Sequence, residues 1–499
     1  MNLNIRFDKR LTVFDLRPGV VTVYSFNAAK RLYRVAPLLA QSTTLGNSIS
    51  SFGLSMHLQI LSSISEIQAS DWDTLFAGDY PFCRHAFLQA LELGNSVGKG
   101  TGWLPQHLVL WDGDTVVAAA PAYLKQHSYG EYLFDRVFAE AYQRHGLRYY
   151  PKLLFAVPFT PAQGPRLGIA KGVDPLTVLP LLQQALLGGA DAQLHQTTAV
   201  ATAPADTAST QQLCALSHWQ CLYAGETEQA LFRADGWLER FDVQFEWQNQ
   251  YAPPRESLAA ATEPPSQKFE NFEQFLATLT ARKRKQIRKE RALVEQQGLQ
   301  LRTLCGSALD ADFWQQFYQF YVATYLKRSG HQGYLTLQTF LLWGRTMASQ
   351  IVVFSAWHQE EMVAASLCFR SEDKLYGRYW GCSEAYAMLH FECCYYSGID
   401  YCIAQGLTAF DAGAQGEHKL QRGFVPVIRS GFYRFLPPTS DANVAPAALD
   451  PTSVAHAELV NSMHSAIANY CREEQSMVLN YQQQARSALP FAKLNQTDS

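Results

Sequence analysis

The chain has 499 residues, of which 47% are hydrophobic and 13% aromatic. This composition supports sizeable cores and excludes wholesale disorder. The formal net charge of −3 excludes a general attraction to nucleic acid or membranes, so any such binding needs a local patch. The ten cysteines form no CxxC pair, which argues against a zinc ribbon and favours reduced thiols in a cytoplasmic protein.

The sequence changes character at Met56. Residues 1–55 are basic and lack the hydrophobic region of a signal peptide, and no apolar run approaches the ~18–20 residues of a membrane span. We predict that 1–55 is an extension outside the native protein, which would start at Met56. The alternative is a basic tail with an interaction role.

Residues 56–250 predict a first α/β unit. Strand and helix patterns alternate, and a β-meander over 107–135 contains three strands, HLVLW, TVVAAAPAYLKQ and SYGEYLFD. The other predicted elements are a strand at 57–64, helices at 70–76, 85–96 and 176–187, and a strand at 241–250.

A Pro- and Ser-rich linker, 251–269, separates this unit from a second one, 270–436. The second unit begins with one long predicted helix within 271–304, capped by Asn271 and ended by Gly298. Its segment 282–291 carries seven basic residues and one acid, so pairing within the helix cannot balance the charge. The segment is either a solvated face or a clamp for phosphates of RNA or of a small anion.

The sequence pattern of the second unit repeats that of the first. Residues 351–380 also read as a three-stranded meander, with Val116-Val-Ala-Ala matching Met362-Val-Ala-Ala and Tyr129-Gly-Glu-Tyr matching Tyr376-Gly-Arg-Tyr. Two matches in order favour duplication of one α/β unit, although two generic meanders would also produce them. Helices at 313–330 and 336–349 precede the meander.

The segment 376–424 carries the densest polar chemistry. A strand leads to a helix over 388–405, Gly406 ends that helix, and a short strand, 407–412, leads into a polar loop. A strand at 427–435 closes the unit, and 437–499 is a linker with a C-terminal helix, 453–485. A polar loop at the carboxyl end of a strand is a common ligand site in α/β proteins.

Acyl transfer to an amine requires a proton acceptor and a group that stabilises the oxyanion. Glu417 and His418 are candidate bases, and Asp411 would orient His418 or bind the amine. Lys419 and Arg422 would hold the oxyanion or a phosphate. The alternatives are that Glu417 and Lys419 form a surface pair and that His418 is structural.

Further polar residues are candidates for binding substrate or donor. Arg378 would face an anion, and His390 with Glu392 would form a substrate-binding pair in an aromatic setting; no metal site is expected there, because no third ligand has suitable spacing. Arg166 would face a cleft between the two units. The remaining candidates are Gln415, Tyr376, Trp380, Arg284, Arg288, Lys125 and His127.

Several phrases resemble the FemAB-like, or peptidoglycan biosynthesis/recognition, family of the GNAT N-acyltransferase superfamily. They lie between Pro81 and Pro426 and include YYPKLLFAVPFTPAQGPRL, LHFECCYYSGIDYCI and DAGAQGEHKLQRGFVP. Arg284-Lys-Gln-Ile-Arg-Lys resembles a basic helix of Fem aminoacyltransferases, and Leu420-Gln-Arg-Gly-Phe resembles their closing loop. There is no clean copy of the Gly-rich acyl-CoA loop of other superfamily members.

The resemblance implies an α/β fold of two tandem GNAT-like units with a mixed sheet. It implies N-acyl transfer to an amine, with a peptidoglycan precursor or another small molecule as acceptor. The co-substrate would be acyl-CoA or aminoacyl-tRNA, with tRNA bound through 282–291, and no cofactor would be tightly held. The alternatives are a non-catalytic recognition protein that binds a cell-wall precursor or RNA, and a lipid-linked acyltransferase at a membrane surface.

Overall fold

The computed structural model describes residues 56–76, 78–188, 216–250, 267–414, 416–436 and 451–492. The predicted N-terminal extension, most of the linker 251–269, the linker 437–450 and the candidate Gln415 lie outside the described residues.

Fifteen strands are named within the described residues, and the predicted alternation of strands and helices is observed. Their bounds are β1 Met56–Leu61, β2 Trp103–Pro105, β3 His107–Asp112, β4 Thr115–Ala120, β5 Ala122–Lys125, β6 Lys152–Phe155, β7 Gly168–Ile169, β8 His218–Leu222, β9 Leu238–Gln248, β10 Leu299–Leu304, β11 Ile351–His358, β12 Glu361–Arg370, β13 Lys374–Cys382, β14 Ala409–Asp411 and β15 Val425–Phe435.

Three of the described α-helices begin at a side chain that caps them. Asn271, Asp310 and Thr336 each accept a hydrogen bond from the backbone N–H three residues later, which satisfies an otherwise free donor of the first turn. The α-helices are α1 Ala69–Asp73, α2 His85–Leu93, α3 Arg136–Arg144, α4 Pro175–Gly188, α5 Glu226–Ala234, α6 Phe272–Ala277, α7 Ala281–Gln296, α8 Ala311–Ser329, α9 Leu337–Thr346, α10 Leu389–Phe391, α11 Ser397–Ala404 and α12 Pro451–Ser487.

The described strands form two sheets. The smaller has the order β1-β3-β4-β7, and the larger has the order β10-β11-β12-β13-β14-β9-β15-β8-β6-β5-β2. Strands β4 and β5 are consecutive and are separated only by Pro121, so the chain passes from one sheet into the other there. Most pairs are antiparallel, whereas β13–β14 and β6–β8 are parallel. The predicted α/β class with a mixed sheet is confirmed.

The strand order is symmetric about the boundary between β9 and β15. Moving outward from it in the larger sheet, β14, β13 and β12 on one side match β8, β6 and β5 on the other. Strands β11 and β10 then follow β12, whereas their counterparts β3 and β1 follow β4 in the smaller sheet, and the edge strand β2 has no counterpart. The parallel pairs β13–β14 and β6–β8 occupy equivalent places. This symmetry supports two similar units, and it interleaves them, because β9 lies between β14 and β15 while β15 lies between β9 and β8.

Two hairpins, one in each unit, have the same hydrogen-bond register, which supports the duplication. In β3–β4, Trp111 pairs with Val116 and the register then shifts so that Leu110 pairs with Ala118. In β11–β12, Trp357 pairs with Met362, and Ala356 then pairs with Ala364. Every position in the second hairpin is numbered 246 higher than its counterpart, so the same β-bulge recurs at the same place.

Two predicted elements are wrong. SYGEYLFD is not a strand, since residues 128–135 form a loop before α3, and the third strand of that meander is β6. The match of Tyr129–Tyr132 with Tyr376–Tyr379 therefore joins a loop to a strand and does not contribute to the duplication. The long helix predicted from Asn271 to Gly298 is divided into α6 and α7, and strand β10 follows it.

Helices from the two halves of the chain share one aromatic core. Phe87 of α2 stacks on Trp343 of α9 with ring centroids 4.7 Å apart, and the Trp343 indole donates to the Phe87 carbonyl at 3.2 Å. Both side chains are buried, and burial of such large rings contributes about 1.5–3 kcal/mol each.

Candidate functional site

The polar segment after β14 folds back against β13. Strand β14 ends at Asp411, and the chain turns through Gly413 into a 3-10 helix, Glu417–Arg422. Gly413 has φ of +82°, and a Cβ there would lie 3.2 Å from the Gly377 carbonyl oxygen, so a larger residue would be both strained and crowded. The predicted loop is thus a helical turn held close to β13.

Asp411 is buried and only half satisfied. Its residue is 1% exposed, and Oδ1 accepts the Gly413 N–H at 2.9 Å. The other oxygen, Oδ2, is buried and has no hydrogen-bond partner in the described part of the chain. Because an unpaired buried carboxylate oxygen is costly, this atom is a candidate contact for a ligand.

Lys419 is the cation closest in the sequence to this carboxylate. It is 1% exposed, and Nζ donates to the Gly413 carbonyl at 2.6 Å. Burial lowers the pKa of Lys419 to about 8, and the Asp411 carboxylate opposes that shift. The predicted surface pair of Glu417 with Lys419 is wrong, because Lys419 is buried and Glu417 is exposed.

His418 is held by Tyr395 and has no hydrogen bond to Asp411. The Tyr395 hydroxyl and His418 Nε2 are 2.7 Å apart. Although the residue is partly exposed, its ring packs on Phe391 and Tyr395, and this desolvation, followed by the charges of Lys419 and Arg422, lowers the pKa of His418 to about 4. The imidazole is therefore neutral near pH 7, and the prediction that Asp411 orients His418 is wrong.

Arg422 fixes the end of the 3-10 helix. Nε donates to the Tyr396 hydroxyl at 2.9 Å, a terminal nitrogen donates to Glu290 at 2.9 Å, and the guanidinium lies 3.5 Å from the Phe391 ring centroid. Glu290 also accepts a hydrogen bond from Tyr396. Arg422 is thus engaged in binding the segment to α7.

Glu417 lies at the protein surface. Its carboxylate accepts the Tyr481 hydroxyl of α12 at 2.8 Å. This contact joins the C-terminal helix to the 3-10 helix.

A π-helical turn, Glu392–Tyr396, lies between α10 and α11 and presents Tyr395 and Tyr396 to this network. Such turns are rare and are common at functional sites. Neither tyrosine was recognised from the sequence; the adjacent aromatic pair within a helical pattern was the available signal.

The predicted pair of His390 with Glu392 is not formed. His390 makes edge contacts with Trp380 and Tyr395, at 5.4 and 5.5 Å between ring centroids. Burial and the nearby cations lower its pKa to about 3. Glu392 is buried and instead accepts two hydrogen bonds from Arg291, at 3.0 and 3.2 Å.

Tyr376 and Arg378 come from β13, on the edge that receives Asp411. Tyr376 pairs with Asp411 in the parallel ladder and packs edge-on against Tyr80 and Phe82. Arg378 donates to the Phe159 carbonyl at 3.3 Å. The structure therefore brings Asp411, Lys419, Tyr376 and Arg378 to one edge of β13–β14.

A family model supplies the deciding comparison. The model of the FemAB-like family, described as peptidoglycan biosynthesis/recognition, matches residues 63–446, which is more than half of the chain. The chain belongs to the FemAB-like family. A search of curated proteins gave no match.

Three solved structures are similar to this FemAB-like chain at low sequence identity. FemX is 12% identical, with 74% of this chain and 96% of FemX covered and a TM-score of 0.39. L-PGS from Bacillus licheniformis is 12% identical, with 77% and 98% covered and a TM-score of 0.38. A tandem GNAT protein from the clavulanic acid biosynthesis pathway is 10% identical, with 77% and 100% covered and a TM-score of 0.37.

The basic helix α7 of this FemAB-like protein uses part of its charge internally. Arg284 donates to the Ala277 and Leu279 carbonyls, and Arg288 forms an ion pair with Glu273. Both predicted ligand-binding residues are thus engaged with the protein. The remaining exposed bases of the helix are Arg282, Lys285 and Lys289.

The candidates from the first half of the chain lie in a separate buried cluster. Lys125 is 0% exposed, lies 3.8 Å from the Trp103 ring centroid and is 3.8 Å from Glu131. Burial lowers the pKa of Lys125 to about 7 and raises the pKa of Glu131 to about 7. His127 is half-buried beside Tyr129, with ring centroids 5.0 Å apart.

Arg166 is wholly buried. Its three guanidinium nitrogens donate to the carbonyls of Leu222, Pro165 and Ala162 at 2.7–2.9 Å. The prediction that it faces a cleft is therefore wrong, and its contacts hold the 162–166 segment to β8.

Among the described residues, no helix is long and apolar enough to cross a membrane. The same residues contain no group of three or more His, Cys, Asp or Glu side chains placed to hold a metal ion.

Proposed function

We propose that this protein is an N-acyltransferase that moves an acyl or aminoacyl group onto the amine of a peptidoglycan precursor. The observation that carries the proposal is the unpartnered, buried Oδ2 of Asp411 beside the buried ammonium of Lys419. The family description, peptidoglycan biosynthesis/recognition, supports the acceptor class.

Asp411 would bind the acceptor through its free oxygen. An acceptor ammonium donates to Oδ2 and passes a proton to it, which leaves a neutral amine. The amine nitrogen then forms a bond to the donor carbonyl carbon, and the carbonyl electron pair moves to oxygen. When the tetrahedral intermediate collapses, the bond to the donor's sulfur or ester oxygen breaks, the leaving group takes up the proton held by Asp411, and the attacking nitrogen gives its second proton to water, so that a neutral amide remains.

Lys419 would stabilise the oxyanion. Its ammonium is withdrawn from water, where a charge acts more strongly than in solution. One N–H is used on the Gly413 carbonyl, and an ammonium has three donors, so two remain for a substrate oxygen.

His418 would be a secondary proton acceptor. It is neutral near pH 7, but Tyr395 already contacts Nε2, so only Nδ1 is left for a substrate proton. Glu417, at the surface and bound to Tyr481, would position the 3-10 helix.

The test is a transfer assay with purified protein, acyl-CoA or aminoacyl-tRNA donors and a peptidoglycan-precursor acceptor. We expect Asp411→Asn to lower turnover by about 10²–10⁴-fold, which is the usual contribution of a positioned proton acceptor. Asp312→Asn, an exposed aspartate in the first turn of α8, is the matched control and should leave turnover unchanged.

Two results would reject the proposal. Full turnover in Asp411→Asn would remove Asp411 from the chemistry. Tight binding of the precursor without transfer from any donor would favour a recognition protein.

The donor can be identified by ligand-induced stabilisation, because a ligand that binds the native state raises the melting temperature. A shift with CoA compounds would select acyl-CoA. A shift with aminoacyl-tRNA would select tRNA as the donor. If tRNA binds on α7, the shift should be lost when Arg282, Lys285 and Lys289 are changed to glutamine, and it should fall steeply with added salt.

A further inference from the structure

Arg378 occupies a β-bulge in the middle of β13. Leu367 of β12 pairs with Tyr379 and the next residue, Cys368, pairs with Gly377, so Arg378 is the extra residue on β13. Bulges redirect a side chain out of the regular alternation of a strand and are common beside active sites. The bulge therefore sets the direction of the Arg378 side chain.

Arg378 is half-buried, and its guanidinium is poorly satisfied. One terminal nitrogen donates to the Phe159 carbonyl at a long 3.3 Å, and the group lies 5.6 Å from the Phe82 ring centroid. Nε and the other terminal nitrogen are buried without a hydrogen-bond partner in the residues that the structure describes. Buried charges are normally paired, so these free donors indicate a missing anion.

The wall around Arg378 is strained and aromatic. Phe159, whose carbonyl accepts its hydrogen bond, has φ of +57°, and Tyr132 and Tyr223 have φ of +66° and +58°. A left-handed backbone is unusual for bulky residues and is concentrated at ligand sites. Burial raises the pKa of both tyrosines and the Arg378 charge opposes this, so both tyrosines lie within electrostatic range of the arginine.

A second unpaired donor lies in this wall. The Tyr223 hydroxyl is buried and also lacks a partner among the described residues. Lys419 is close enough that the Arg378 charge contributes to lowering its pKa. Lys419 is also within electrostatic range of the Asp411 carboxylate, whereas the carboxylate that acts on Tyr223 is Asp242.

We infer that Arg378 is the centre of a binding site for an anionic group, a carboxylate or a phosphate, which takes up the unpaired guanidinium nitrogens and the Tyr223 hydroxyl. An arginine fork matches the paired oxygens of either anion. That the anion belongs to a transfer substrate rests on the proposed function, whereas the binding itself does not.

The experiment measures anion binding to the full chain by calorimetry and thermal shift, with no acyl donor present. The probes are inorganic phosphate, pyrophosphate, acetate and benzoate, at constant ionic strength. We expect saturable binding of at least one of them to the wild-type protein. Saturation by the phosphates alone assigns a phosphate, and saturation by the carboxylates alone assigns a carboxylate.

Three variants locate the binding. Arg378→Gln should weaken it by about tenfold or more, because hydrogen bonds to a charged group are lost. Tyr223→Phe, which removes only a hydroxyl, should weaken it less. Arg345→Gln, at an exposed arginine in the last turn of α9, is the control and should bind like the wild type.

The melting temperature without anion gives an independent readout. If the Arg378 guanidinium is unpaired in the absence of a ligand, Arg378→Gln removes a charge that costs stability. The variant should then melt at the same temperature as the wild type or higher. A clear fall in melting temperature, or failure to fold, would show a structural role and overturn the inference.

The absence of saturable binding by the wild type, or unchanged binding in both Arg378→Gln and Tyr223→Phe, would also overturn it. These outcomes are separate from the transfer assay. Anion binding without transfer would support the anion site and reject the proposed function. Transfer without anion binding would support the proposed function and reject the anion site.

Discussion

Lys419 shows how burial sets the chemistry of a single residue. A lysine in water has a pKa of about 10.5, whereas burial lowers the pKa of Lys419 to about 8. Its ammonium form therefore decreases as the pH rises through 8, within the range in which enzymes are assayed.

We predict a falling limb in the pH profile of kcat with an apparent pKa near 8. The reason is that the proposed oxyanion contact needs the charged form. Lys419→Met should remove the limb and lower kcat by about 10²–10³-fold, as loss of an oxyanion donor does. The exposed Lys171→Met is the control. A kcat that rises through pH 8 in the wild type and not in Lys419→Met would instead make Lys419 the base.

Asp135 illustrates a buried carboxylate whose partners are complete. Lys152 donates to Asp135 at 2.5 Å and to Glu131 at 2.7 Å, and Tyr149 donates to Asp135 at 2.6 Å. Burial alone would raise the pKa of Asp135, but Lys152 and the hydroxyl donors lower it well below the ordinary value.

We predict that Asp135→Asn destabilises the protein by about 3–5 kcal/mol near pH 7, because Lys152 loses a buried counter-charge. A lowered carboxyl pKa contributes stability above the unfolded-state pKa and loses it as the pH falls. The difference between variant and wild type should therefore persist down to about pH 4 and shrink below it, as measured by thermal unfolding at pH 7 and pH 3. The exposed Asp114→Asn should melt like the wild type at both, and a neutral Asp135→Asn would contradict the prediction.

The 3-10 helix Glu417–Arg422 is the element on which the site depends. It is attached to α7 through Arg422 and Glu290 and to α12 through Glu417 and Tyr481. Three glycines with positive φ, at 413, 416 and 423, flank it and permit the tight path.

We predict that Glu290→Gln breaks the ion pair that attaches this 3-10 helix to α7. Arg422 would keep its charge in a buried position without a counter-ion, at a cost of about 3 kcal/mol in the free energy of unfolding. Differential scanning calorimetry should show a lower melting temperature, and transfer should fall with it. Glu295→Gln, exposed on the same helix, is the matched control. Equal melting temperatures for the two variants would show that the Arg422 contact is dispensable.

Elements and site were predictable from the sequence to different degrees. Periodicity and capping residues located most strands and helices, because these depend on neighbouring residues. The break between α6 and α7 was missed because the Thr280 N–H bonds the Pro490 carbonyl, more than 200 residues away. Likewise, the polar residues after Asp411 indicated a polar loop, whereas Lys419 and Arg422 are buried, and Arg422 is bound by Tyr396 and Glu290 through contacts that no local pattern reports.

At the scale of the whole molecule, the duplication and the interleaving have different origins. The shared hairpin register follows from two similar stretches of sequence and was partly visible there. The exchange of the central strands was not visible in the sequence, because strand order in a sheet is set by long-range pairing. We propose that the two units span 56–250 and 270–436, as predicted, and that each completes the other's sheet.

That proposal predicts that neither half folds alone. Both neighbours of β9 in the sheet, β14 and β15, belong to the second half, and both neighbours of β15, β9 and β8, belong to the first. Fragment 56–250 would thus leave β9 with unpaired backbone groups on both edges and lose the nine-position ladder to β15. We expect no cooperative thermal transition for 56–250 or for 267–499 separately. Co-expression should yield a complex with the far-UV circular dichroism and single transition of the intact chain starting at Met56. A cooperative transition in isolated 56–250 would mean that the first unit closes its own sheet, and that β9 and β15 are added to finished units rather than shared between them.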